Sequence, residues 1–143
     1  MDLRDYFGKY NELKVELSKY TACCVMGGNV FVLRKAMELS GFDVFLKENK
    51  SNDNYLYIGY SAGSCVLSQN LEQLNIVDEP IKFYDEQNVN YKGLGFIDYI
   101  FIPHYKSNYH KIEFINNLVE KCKKENIKYK AIQDGEVLIE RIK

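Results

Sequence analysis

Five short apolar runs punctuate the chain: TACCVMG (21–27), YLYIGY (55–60), GFIDYIFIP (95–103), KYKAIQ (128–133) and EVLIERI (136–142). Each is short enough to be a buried strand. Between them the apolar residues fall at helical spacing. Leu3, Tyr6, Phe7, Tyr10, Leu13 and Leu17 mark a first helix, and Phe31, Val32, Leu33, Ala36, Met37 and Leu39 a second that closes on Gly41, a C-cap residue. Ile112, Ile115, Leu118, Val119 and Cys122 share one face of a third, and AGSCVLSQNLEQL is a shorter fourth. Strands alternating with helices predict βαβ units: an α/β fold of three layers, with a mostly parallel sheet and helices on both faces.

At 143 residues the chain has the length of one domain, 1–143, and its 46% hydrophobic content is enough for a core. The stretch 75–93 is polar and irregular and reads as an inserted loop. A doubly wound sheet normally begins with a strand, whereas this chain begins with a helix. The expectation is a shortened version of the fold whose sheet edges something else covers.

Composition narrows the function. A net charge of −1 carries no electrostatic footprint for nucleic acid, and Lys121, Lys123 and Lys124 read as a solvated helix face. Cys23, Cys24, Cys65 and Cys122 form no CxxC pair and no Cys/His spacing suited to zinc, so neither a metal nor a cofactor is expected. Unpaired cysteines in apolar surroundings suit a reduced, cytoplasmic protein. The first residues contain no apolar leader core, and no run reaches membrane-spanning length.

Gly59-Tyr60-Ser61-Ala62-Gly63 fits the G-x-S-x-G elbow, in which a strand turns sharply into a helix and holds a serine with its Oγ exposed. The pentapeptide by itself is equally a tight turn; the apolar strand before it and the helical pattern after it favour a nucleophile. A serine needs a base, and the chain has two histidines. His104 follows Pro103 where a strand should finish, the place at which functional residues gather in open α/β sheets. His110 lies in the polar KSNYHK and reads as a surface residue. An orienting carboxylate is offered by Asp134, in an Asp-Gly turn that is also a hairpin signal, with Glu136 a weaker competitor. Met26-Gly27-Gly28-Asn29 is a fourth strand end, either a second source of oxyanion donors beside Ala62 or a tight turn alone. Cys24 and Cys65 do not sit at the elbow and are poor nucleophile candidates.

Taken together, GGNVFVL, YIGYSAGS, GLGFIDYIFIPHY and AIQDGEVLI resemble the serine peptidase family of aspartyl dipeptidase (peptidase E) and cyanophycinase, from about Thr21 to Leu138. The resemblance implies a flavodoxin-like, class I glutamine amidotransferase-like sheet, shortened at the N-terminus. It implies Ser61 as nucleophile, His104 as general base, Asp134 as orienting acid, and N–H groups of Gly28 and Ala62 as the oxyanion hole. The implied substrate is a short peptide, with N-terminal Asp favoured. Arg4, Arg34 and Arg141 are the arginines, and none can be placed against such a carboxylate. Val30 stands where the family has threonine, and Ile102 where asparagine often precedes Pro-His. A homodimer completing the sheet is one arrangement that a shortened scaffold allows. A catalytically inactive relative that acts as a binding or assembly module is the alternative reading.

Overall fold

A computed structural model describes residues 1–80 and 89–141. The four strands are β1 (Ala22–Val25), β2 (Leu56–Gly59), β3 (Ile100–Ile102) and β4 (Tyr129–Ala131). β1 and β2 run parallel, with Ala22 opposite Leu56 and Val25 opposite Gly59. β3 and β4 do likewise, with Ile100 opposite Tyr129. Helices make the crossovers: α2 (Val30–Ser40) and α3 (Phe42–Glu48) lead from β1 to β2, and α5 (Ile112–Lys124) leads from β3 to β4. This is the expected α/β class, since parallel neighbours require a helical crossover. Among the described residues the strands form two hydrogen-bonded pairs.

The expected helices appear, with altered bounds. The first is interrupted at Gly8, where φ is 71°, so that a 3-10 turn (Leu3–Tyr6) precedes α1 (Tyr10–Leu17). The Gly8 N–H donates to the Leu39 carbonyl, which fixes that break against α2. In α2 the Asn29 carboxamide accepts from the N–H groups of Phe31 and Val32, an N-cap the pattern GGN already contains. Gly41 ends α2 at φ 77°, as expected, but α3 starts at once, a helix the sequence reading did not anticipate. α4 (Ala62–Cys65) is a single turn; of its expected span 62–74, residues 66–71 form turns and an isolated bridge, and a 3-10 turn, Glu72–Ile76, starts near its end. Part of the expected loop 75–93, residues 81–88, lies outside the described residues.

The fifth expected strand is not formed. Of its residues 136–142, those described, 136–141, pair with no strand among the described residues, and Val137 and Ile139 stand 82% and 89% exposed. The segment is tied instead by side chains: the Tyr99 hydroxyl and Lys130 Nζ both donate to Glu140. Alternating apolar residues make a strand only where a partner edge accepts them.

One core joins Leu13 and Leu17 of α1, Met37 of α2, Phe45 and Leu46 of α3, Ile102 of β3, and Leu118 and Val119 of α5. On the outward face of the first pair, Leu56 and Ile58 remain 58% and 46% exposed beside Ala22 and Cys24. Lys123 and Lys124 lie exposed at the α5 C-terminus, where positive charge offsets the helix dipole. Arg34 is buried. Its Nη2 meets Asp43 Oδ2 at 3.1 Å and its Nε donates to the Lys92 carbonyl at 2.8 Å, so it ties α2, α3 and the chain returning toward β3. Asp43→Ala should cost about 3–5 kcal/mol by stranding that buried guanidinium, read as a lower urea midpoint. Lys19→Ala, which breaks an exposed pair with Glu16, should leave the midpoint almost unchanged, since solvent screens such a pair.

Candidate active site

The site begins where β2 runs out. The Tyr60 N–H donates to the Val25 carbonyl at 2.9 Å, the last bond between the two strands before the chain reverses into α4. Ser61 adopts φ 51° and ψ −117°, backbone that residues with a side chain rarely occupy and that packing must impose. Two glycines make the reversal feasible. A Cβ on Gly63 would fall 2.1 Å from the Val25 carbonyl oxygen, and one on Gly59 would fall 2.7 Å from the Gly63 oxygen. The Tyr57 hydroxyl holds the turn from beneath by donating to the Gly63 carbonyl at 2.6 Å, and burial pushes its ionisation upward, keeping it a donor.

His104 lies just past the end of β3 at φ 63°, and it is buried. Its Nε2 is 3.0 Å from Ser61 Oγ and its Nδ1 is 2.6 Å from Asp134 Oδ1. Asp134 sits past the end of β4, with its N–H donating to Ser107 Oγ at 2.7 Å. The structure therefore brings together Ser61, His104 and Asp134, which lie up to 73 positions apart in the chain. With a carboxylate at Nδ1, the proton belongs on Nδ1 and Nε2 is left to accept from the serine hydroxyl. Glu136 is directed elsewhere: its carboxylate accepts from the Gln133 N–H within the turn. His110 is exposed and packs on Tyr109, outside this chain of bonds.

Gly28 and Ala62 line one small cavity with Ser61 and His104, of about 30 Å³. Ala62 opens α4, where the first N–H groups lack intrahelical acceptors, and Gly28 (φ 141°) lies in the turn between β1 and α2. Cys65 also lines the cavity, but burial raises its thiol pKa and keeps it neutral. Among the described residues no group of three or more His, Cys, Asp or Glu could hold a metal ion.

Three neighbours were not anticipated. Asp78, in the polar stretch after α4, lines the cavity; its Oδ2 accepts from the Val30 N–H and its Oδ1 from Lys111 Nζ, both at 2.9 Å. The backbone of Val30 thus serves this contact whatever its side chain. Tyr109 stacks on the His104 ring, and Ser107 carries the Asp134 turn. KSNYHK signals only polarity; nothing in it marks an aromatic wall. None of the arginines lines the cavity: Arg34 is committed to Asp43, Arg4 bonds Asp2 and Arg141 bonds Asp53.

The chain is similar to known proteins over most of its length. The model of peptidase family S51 matches residues 8–141. The uncharacterized peptidase Lin0382 of Listeria innocua is 33% identical over 97 residues, which cover 68% of this chain and 45% of that relative. The uncharacterized peptidase Lmo0363 of Listeria monocytogenes is 31% identical over 96 residues, covering 67% and 45%. A 1.5 Å crystal structure of a candidate peptidase E protein from Listeria monocytogenes superposes with a TM-score of 0.73 at 26% identity, covering 93% of this chain and 65% of that one. The chain thus spans a little under half the length of these curated relatives.

The elbow geometry makes a direct prediction. Gly63→Ala should destabilise the fold by about 1–3 kcal/mol, because its methyl group must displace backbone rather than a flexible side chain. Ser64→Ala, next along α4, should stay within about 0.5 kcal/mol. Denaturant midpoints of the two variants test this.

Proposed function

The chain belongs to peptidase family S51, and from that premise we propose that it is a serine-type exopeptidase, a dipeptidase, working through Ser61, His104 and Asp134. The observation that carries the reading is the continuous run of two hydrogen bonds from Ser61 Oγ through the imidazole to Asp134, 3.0 and 2.6 Å. In the first step Nε2 takes the Ser61 proton as Oγ bonds to the scissile carbonyl carbon. The resulting oxyanion faces the Gly28 and Ala62 N–H groups. His104 then gives the proton to the leaving amine, the C–N bond breaks, and an acyl-Ser61 remains. Water repeats the sequence in reverse roles, losing its proton to Nε2 and releasing the acid and the free serine. Asp134 holds Nδ1–H throughout and offsets the transient imidazolium charge.

The substrate proposed is a short peptide, with N-terminal Asp as the family resemblance implies. A substrate carboxylate would need a cation. Among the described residues no lysine or arginine lines the cavity, and Lys111, the cation next to its wall, is paired with Asp78 as the arginines are with their own carboxylates, so the Asp preference rests on the family resemblance alone. The alternative, an inactive relative serving as a binding or assembly module, draws support from the exposed Leu56 and Ile58 on one sheet face.

Two assays separate these readings. A fluorophosphonate probe should label the wild-type protein and not Ser61→Ala, and a panel of Asp-Xaa and other dipeptides should be cleaved. His104→Ala should lower both rates by about 10²–10⁴-fold. A folded wild-type protein that is neither labelled nor active on any dipeptide would overturn the proposal in favour of the inactive relative.

A further inference from the structure

The imidazole is gripped unevenly. Its partner Asp134 has a side chain 54% exposed, so water competes for the carboxylate that is meant to orient the ring. The bonds at Nδ1 and Nε2 both lie along the ring's edge, so neither packs against its faces. Something else must hold the plane.

Tyr109 provides a wall. Its ring lies 4.2 Å from the imidazole, centroid to centroid, with 14° between the planes. Tyr60 meets the imidazole edge-on, at 6.0 Å and 79°, which restrains tilt less than a parallel face does. The stack is built by the loop that carries it. The Ser107 N–H donates to the His104 carbonyl, the Tyr109 N–H donates to the Ser107 carbonyl, and Ser107 Oγ accepts from the Asp134 N–H. One five-residue step along the chain therefore fixes the imidazole face, the backbone of His104 and the backbone of Asp134 together. Among the described residues the Tyr109 hydroxyl has no hydrogen-bond partner, so the ring rather than the hydroxyl is what the arrangement uses.

We propose that Tyr109 is a positioning residue for His104: its stacked ring keeps Nε2 on Ser61 Oγ while the proton moves. The inference rests on the reading of Ser61 as nucleophile and His104 as base. Its physical content is that a small rotation of the imidazole lengthens the 3.0 Å contact, and that misplacement of a reacting group by about 1 Å can cost on the order of 100-fold in rate. An aromatic face next to the ring also favours the imidazolium that forms after proton transfer.

The test compares Tyr109→Phe with Tyr109→Leu. Two readouts are taken: fluorophosphonate labelling, resolved into probe binding and chemical step, and the His104 ring-proton resonance by NMR. The two histidines are assigned with a His110→Asn variant. Tyr109→Phe should keep the chemical step within about twofold and leave the resonance in place. Tyr109→Leu should slow the chemical step by roughly 10- to 100-fold with probe binding unchanged, and should shift the resonance downfield as the ring current is lost. Tyr109→Met, which keeps bulk without a ring, takes its place should the leucine variant not fold. A chemical step at the wild-type rate without the ring overturns the inference, as does an equal loss in Tyr109→Phe. A wild-type protein that is not labelled defeats the functional reading instead. The resonance then still decides the stack: an unshifted signal in Tyr109→Leu overturns it.

Discussion

Where β2 turns into α4 there is no room for a side chain at Gly59 or Gly63, and the candidate site depends on that crowding. The first turn of α4 lies so close to the end of β1 that a methyl group on Gly63 would overlap the Val25 carbonyl. The close approach anchors the elbow to the neighbouring strand, through the Tyr60 N–H on Val25 and the Tyr57 hydroxyl on Gly63. It also presses the serine into backbone that it would not adopt alone. The Gly27-Gly28 turn is carried along: a Cβ on Gly27 would come within 3.0 Å of Ser61 Cβ. A nucleophile candidate and a backbone donor candidate are thereby held side by side by close packing of the two turns.

Burial sets how much each ion pair contributes. Arg34 and Asp43 are both nearly inaccessible and meet each other between two helices, whereas the pair Arg141–Asp53 is exposed on both sides and contributes little. The site lies between these extremes. His104 is buried while its carboxylate partner reaches solvent, so the pair is ordered from the imidazole side by the loop 104–109 and by the packing of β3 behind it. Asp78 spends both oxygens on holding the start of α2 and Lys111, and so braces the turn containing Gly28 from the other side of the cavity.

Much of this was legible in the chain, for local reasons. The crossover helices α2 and α5 follow from apolar spacing, with Asn29 and Gly41 as their punctuation. Ser61, His104 and Asp134 could be singled out because each follows an apolar run that becomes a strand, and strand ends converge in parallel sheets. The failures are equally physical. EVLIERI has the alternation of a strand, yet its described residues, 136–141, pair with no strand among the described residues, and Val137 and Ile139 stay exposed. α3 was hidden because Gly41 signals an end and says nothing about an immediate restart. Tyr109 and Asp78 were hidden because stacking and long-range capping have no period.

By itself, then, the sequence determined which segments are strands and helices over most of the chain, and which three side chains could carry acyl-transfer chemistry. Those properties depend on neighbours a few positions away: apolar spacing, small residues at a turn, a histidine after a proline. Only the tertiary structure decided that Ser61, His104 and Asp134 meet at 3.0 and 2.6 Å, that Arg34 is spent in the core, and that an aromatic ring backs the imidazole. Those depend on contacts between residues far apart in the chain, and such contacts are set by how whole elements pack.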